Sequence, residues 1–178
     1  MNQSSTMIER DTPISMGEVD NEDEIEKCRK NFGNNHPDTV IALNKIGNTY
    51  LLNHRYDLAE NCYNEALRII KKLKPEAYRD IALIMAKIAE VYLQKRNFSK
   101  ALHYFNEAYD TLNLGEDDTC EIAQPEVLLN IGRVYEENEE LTESLNYYED
   151  SLEMAHGIMG DRHPFLARVL NHIGRNLL

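Results

Sequence analysis

Long apolar runs are missing from this sequence. The longest, Ile81 to Ala86, is six residues, against the roughly 20 that a helix needs to cross a bilayer. The opening segment "MNQSSTMIER" is polar and lacks the apolar stretch of a secretory signal. Cysteines number only three, Cys28, Cys62 and Cys120. An odd count at unrelated spacings argues against a disulfide framework and fits free thiols in a reducing compartment, the cytosol by default. Basic side chains are scarce as well: 19 Lys and Arg face 31 Asp and Glu, a net charge of −12. Nucleic-acid binding requires clustered cations against phosphates, so the expected partners include neither nucleic acid nor a membrane.

Signatures of chemistry are also absent. The stretch "GNNHPDT" has neither the Lys nor the strand context of a phosphate loop. No His stands four residues from another His or Cys, the spacing of a metal pair on a helix. Carboxylates abound, yet no spacing sets two of them in a pocket. The expectation is a protein that is not an enzyme and takes no cofactor and no metal.

What is present is a phrase that returns. "GNNHPDTVIALNKIGNTY" starts at Gly33, and "GDRHPFLARVLNHIGRNL" starts at Gly160, 127 residues later, with seven of eighteen positions identical. Intermediate copies bridge the gap. Ile46-Gly47, Tyr50, Ala59, Tyr63 and Ala66 are followed at the same offsets by Ile88-Ala89, Tyr92, Ala101, Phe105 and Ala108. Ile131-Gly132, Tyr135, Ser144, Tyr148 and Ser151 make the third copy, and Ile173-Gly174 with Leu177 a partial fourth. The anchors are 42, 43 and 42 residues apart. The period is that of a repeat array.

Each unit reads as two helices. Leu43, Ile46, Gly47 and Tyr50 form one stripe at i, i+3, i+4 and i+7. Ala59, Tyr63 and Ala66 form a second, whose small residues let the paired helices approach. The polar breaks "NHRY", "KRNF" and "NEEL" separate the two helices of successive units. Gly33 and Gly160 suit the left-handed position after a helix, and Pro37 and Pro164 the first turn of the next. His36 and His163 recur with them, which assigns both to the junction. Residues 1–19 are polar and expected to be a disordered tail. Residues 20–32 align with the second helix of the third unit, and 20–35 are expected to be the remnant of a preceding unit. Units then follow at 36–75, 76–117 and 118–160, with a lone first helix at 161–178.

These residues resemble the tetratricopeptide repeat, whose pattern is a large residue, Leu-Gly, Tyr, Ala, Phe and Ala at fixed offsets. The 42-residue period and the "HPD…LN" opening resemble the longer variant of kinesin light chains. There are departures: no Trp at the first large position, Arg or Glu at the usual turn Gly, and Ser for Ala in unit three. The resemblance implies an all-α fold, a right-handed superhelical α-solenoid, serving as an adaptor or scaffold. Its concave groove takes an extended peptide, of acidic and aromatic character in the kinesin-light-chain type. The carboxylate clamp of the chaperone-tail subgroup does not occur, since the matching positions hold Asn44, Asn48, Lys87, Glu126 and Asn130.

At about 100° per residue, the side of each first helix opposite the core stripe carries Ile41, Asn44, Lys45 and Asn48 in unit one. It carries Leu83, Lys87 and Glu90 in unit two, Leu129, Asn130 and Arg133 in unit three, and Arg168, Asn171 and Arg175 in the last helix. Residues 113–178 hold only four basic groups against 14 acidic ones, and three of those four arginines fall on this side. Their planar forks suit carboxylates, which points to an acidic peptide. Asn side chains can pair with any peptide backbone, and Ile41, Leu83 and Leu129 can form apolar pockets. The same residues also fit a solvated face, local capping, and packing against a neighbouring helix. Cys62 and Cys28 occupy small core slots. Cys120 is expected to be exposed, its thiol pKa raised by acidic neighbours. The run "EENEE" at 136–140 reads as a solvated turn.

Two other readings belong to different classes. One is the regulatory or sensory array of a larger enzyme. The other is a self-associating array held together through the unfinished C-terminal helix, where Leu170, Ile173 and Leu177 remain to be covered.

Overall fold

The computed structural model describes residues 25–27, 29–31 and 33–177. The expectations for the 1–19 tail, for Cys28 and for Phe32 lie outside the described residues. Among those described, residues 25–27 and 29–31 are helical and there is no strand. Seven further helices follow: α1 (Pro37–Leu52), α2 (Tyr56–Leu73), α3 (Tyr78–Gln94), α4 (Phe98–Asn113), α5 (Asp118–Glu137), α6 (Leu141–Met159) and α7 (Pro164–Asn176). The fold is all-α, a solenoid of two-helix units.

The junctions follow from local chemistry. Nδ1 of His36 accepts from the backbone N–H of Asp38, and Nδ1 of His163 from that of Phe165, both at 3.2 Å. Each histidine caps a helix whose first residue is proline, where the missing N–H costs nothing. Gly33 and Gly160 precede these caps at φ of +92° and +75°. Gly160 combines that φ with a ψ of 170°, a region essentially reserved for glycine.

Within each unit the turn has one geometry. His54, Arg96 and Glu139 adopt φ of 58°, 56° and 65°, at the place where the resemblance puts a glycine. The next N–H then reaches back to the last-turn tyrosine carbonyl: Arg55 to Tyr50, Asn97 to Tyr92 and Glu140 to Tyr135, at 2.8–2.9 Å. A side chain in this conformation costs about 1–2 kcal/mol, partly offset by the greater flexibility of glycine when unfolded. Glu139→Gly is therefore expected to stabilise the fold by about 0.5–1 kcal/mol, seen as a raised melting temperature.

Helices pack in sequence, each against the next, and α3 also reaches α5. The main core runs from Val40 to Val134 through the small-aromatic-small rows. A second cluster joins Leu129, Tyr148 and Ala155 to Phe165, Leu166 and Val169 of α7. Cys62 is buried, as its core slot implied. Cys120 is also buried, which corrects the expectation of exposure. Asp117 caps α5 by accepting from the backbone N–H of Cys120 at 3.0 Å, and this turn tucks the thiol beneath Gly115. Burial first, and the Asp117 charge second, push that thiol up.

Candidate functional site

An open cleft of about 500 Å³ lies between α1, the end of α2 and α3. Ile41, Asn44 and Asn48 enter it from α1, and Leu83 and Lys87 from α3. Those five were expected on the binding side from helical spacing, and the structure brings them together. Ile41 is 65% exposed and Leu83 37%, so apolar surface stands in water. Ile70 and Lys74 complete one wall. Both belong to the second helix or its cap, so a search confined to first helices missed them. The spacing Ile69-Ile70 then Lys74 at the end of a second helix is the signal that was available.

The polar groups of the cleft differ in how well they are matched. Oδ1 of Asn48 accepts from the Tyr63 hydroxyl at 2.8 Å, which fixes the orientation of its amide. Burial keeps the Tyr63 hydroxyl protonated far above its usual range. Oδ1 of Asn44 is buried, with no hydrogen-bond partner among the described residues. An orphan acceptor of this kind costs about 1–3 kcal/mol. Asp80, the acid lining the cleft, lies beside Arg79 at 3.9 Å. Lys74 and Lys87 have no ion-pair partner among the described residues.

The rest of the expected binding side is organised otherwise. Lys45 is exposed but does not line the cleft. Leu129 is only 2% exposed and packs in the second core cluster. That corrects its placement as a groove pocket, because Phe165 and Val169 of α7 cover it. The three arginines are each held by a carboxylate about one repeat earlier in the chain. Nη1 of Arg133 lies 3.2 Å from Oε2 of Glu90 and 2.9 Å from Oδ1 of Asn130. Arg168 pairs with Glu126 and lies over the Phe165 ring at 4.8 Å. Arg175 donates to Oε1 of Glu136 at 2.8 Å. Asn171 is exposed on the same helix. The basic stripe is thus internally neutralised, and charge on this half arrives already paired.

Glu136 also corrects the reading of the acidic run as solvated. Its side chain is largely buried and accepts from the Tyr148 hydroxyl and from Nδ1 of His172, the latter at 3.1 Å. Burial pushes this carboxyl up, but the Tyr148 and His172 hydrogen bonds and the Arg175 charge outweigh it and hold it below the usual range. Among the described residues, no cluster of three or more His, Cys, Asp and Glu side chains is placed to hold a metal ion. Nor is any described helix long and apolar enough to cross a membrane.

The tetratricopeptide repeat family profile matches residues 22–72 and 124–178. The chain belongs to the tetratricopeptide repeat family. In fold, its repeats match those of kinesin-light-chain-like proteins. BtubC (BKLC) from P. vanneervenii superposes with a TM-score of 0.73 at 18% identity, over 89% of this chain and 63% of that one. A Podosopora anserina putative kinesin light chain with nearly identical TPR-like repeats gives 0.70 at 14% identity, over 90% and 77%. Likenesses this remote in sequence speak for the fold. The Clustered mitochondria protein homolog of Candida albicans is 31% identical over 90 residues, which are 49% of this chain. The chain spans only 7% of that relative's length. Tetratricopeptide repeats form protein–protein interaction modules and are typically non-catalytic.

Proposed function

We propose that this repeat array is a non-catalytic adaptor that captures an extended peptide in the α1–α3 cleft, with apolar anchors over Ile41 and Leu83 and a carboxylate near Lys74 and Lys87. The observation that carries this reading is the cleft itself, which is lined together by exposed aliphatic surface and, among the described residues, two lysines without an ion-pair partner and an amide oxygen without a hydrogen-bond donor. Turning the Asn44 amide presents it to a backbone N–H of the peptide and relieves its unmatched state. Acidic character in the ligand is favoured here rather than over Arg133, Arg168 and Arg175, whose forks already hold Glu90, Glu126 and Glu136. Affinity is modest, because ordering a flexible peptide offsets part of the contact energy.

The test is fluorescence anisotropy with a labelled pool of acidic, Leu- or Trp-containing peptides at low and moderate salt. Burying one aliphatic anchor is worth about 1.5–3 kcal/mol, so Ile41→Asp should weaken binding by about tenfold or more. Lys87→Glu should abolish the salt dependence. Arg133→Glu/Arg175→Glu should lower stability and leave affinity much less changed. Binding that ignores Ile41→Asp and follows the arginines instead would move the site to the C-terminal half.

A second reading, an array serving a larger protein, draws support from the much longer Candida albicans relative. The full-length gene context tests it.

A further inference from the structure

One position of every second helix holds a carboxylate: Glu65 on α2, Glu107 on α4 and Asp150 on α6. Glu65 shows what this position accepts. Nη2 of Arg29 lies 2.7 Å from both of its carboxylate oxygens, joining the helical segment before α1 to the helix after it. One repeat on from Arg29 stands Lys71, and one further Asn113. The chain thus changes from a base to a neutral amide just where the third carboxylate, Asp150, comes round. Between α4 and α6, over α5, lies an open groove of about 380 Å³. Tyr109, Leu128 and Met154 line it with apolar surface, and Asp150 and Glu153 with carboxylates. Burial first, then the charges of Asp150 and Asp110, push the Tyr109 hydroxyl up, so a third acid bears on the same ring. Asp110, Asp150 and Glu153 are exposed and have no ion-pair partner among the described residues. Helix α6 contains no Lys or Arg, and its His156 is 2.6 Å from Asp161. Three of the four arginines after residue 112 are already held by Glu90, Glu126 and Glu136.

We infer that the α4–α6 groove docks an arginine from a basic segment of a partner protein, its guanidinium on Asp150 and Glu153 and its methylene stem on Leu128 and Met154. Arg29 on Glu65 is the pattern for this contact within the chain itself. Arginine fits better than lysine. Its planar fork meets two carboxylates at once, and its stem covers apolar surface while the head stays in water. The Tyr109 ring stands beside the acids for a cation–π contact of the kind Phe165 makes with Arg168 at 4.8 Å. A metal ion is the poorer occupant, since no cluster of three or more His, Cys, Asp and Glu side chains among the described residues is placed to hold one. The groove is separate from the α1–α3 cleft and opposite to it in charge, so neither reading depends on the other.

The probe is a labelled peptide pool with arginine set among alanine and leucine, beside a matched pool with lysine in its place. Both are titrated against the full chain by fluorescence anisotropy at low and moderate salt. Saturable binding of the arginine pool is expected, with the lysine pool weaker. Asp150→Asn/Glu153→Gln should weaken it about tenfold, while the melting temperature holds, because both side chains are exposed. Asn113→Arg should block the peptide to a similar degree with the melting temperature level or higher, the chain then supplying the guanidinium that Arg29 gives Glu65. Glu76→Gln/Glu139→Gln removes the same charge from two exposed turn positions and should leave binding unchanged, as should Ile41→Asp in the other cleft. Absence of saturable binding overturns the inference, and so does binding indifferent to Asp150→Asn/Glu153→Gln. An equal loss in Glu76→Gln/Glu139→Gln would reduce it to attraction by net charge, and equal affinity for the lysine pool would remove the guanidinium. Sedimentation of the chain alone runs alongside. Self-association abolished by Asp150→Asn/Glu153→Gln would make an arginine of a second copy the occupant and overturn it equally.

Discussion

Tyr148→Ala is expected to destabilise the protein by about 3–5 kcal/mol, the range for deleting a fully buried aromatic. The ring is completely enclosed and lies flat enough on Gly132 that no Cβ would fit between them. Its hydroxyl donates to Glu136 and lies 3.3 Å from Nδ1 of His172, so one side chain ties α6 to both α5 and α7. Burial, and then the hydrogen bond to Glu136, raise the hydroxyl far above its usual range, so it stays a donor at any pH of interest. In a solenoid each unit leans on its neighbours alone, and α7, with one docked side, has no other support. Urea titration should show the loss as a lower midpoint, and hydrogen exchange should show it first in α7. Tyr148→Phe separates ring from hydroxyl. Phe105 holds the same repeat position in unit two and is fully buried, so the ring alone is compatible with the fold. The Phe variant should cost about 1.5–3 kcal/mol, the value of a hydrogen bond to a charged partner. A cost for Ala no larger than for Phe would mean that the ring contributes little and the latch is all hydroxyl.

The architecture was legible because the core is periodic. Ile46, Ile88 and Ile131 are all essentially buried at one repeat position, and so are the small and aromatic residues that follow them. An Arg or Glu at the usual turn glycine was visible as a departure, His54 was not singled out, and the left-handed backbone conformation persists at His54, Arg96 and Glu139 alike. The cleft was half legible. Spacing on one helix finds Ile41 and Leu83, but Ile70 and Lys74 come from the preceding second helix and answer to a different register. Leu129 was misplaced because what covers it, Phe165 and Val169, belongs to α7, and helical spacing within α5 carries no trace of that. The arginines were misread for a related reason, since their partners sit about one repeat away. A trace did exist. Glu90 and Arg133 occupy the same repeat position, as do Glu126 and Arg168, and opposite charges at one position of stacked units are built to pair. Cys120 looked exposed among acids. In fact Asp117 starts a helix there, and the second residue after the first helical turn's Asp118 is turned inward.

Glu136→Ala should loosen α7 by about 2–3 kcal/mol, a figure discounted because Arg175 is two-thirds exposed and its ion pair is screened. The carboxylate is the common acceptor for Tyr148, His172 and Arg175. Removing it leaves the buried Tyr148 hydroxyl and the largely buried His172 imidazole with only each other, 3.3 Å apart. Glu136→Gln keeps the shape and one oxygen, so it should cost less, and the difference isolates the charge. The acid limb of the stability curve gives an independent check. Hydrogen bonds and the Arg175 charge overcome burial and hold this carboxyl below its ordinary 4.5 when folded. A depressed carboxylate contributes stability above its unfolded value and loses that contribution as pH falls through the folded one. Exchange protection of α7 should therefore be level near neutrality and decline below about pH 4.5. Glu60 behaves in the same direction, held down against burial by Lys95 and Tyr92, but it acts between α2 and α3. In Glu136→Gln the acid-dependent loss should vanish from α7 and persist around Glu60. A decline in α7 that survives the substitution would assign the acid sensitivity to another group and remove Glu136 from the centre of the latch.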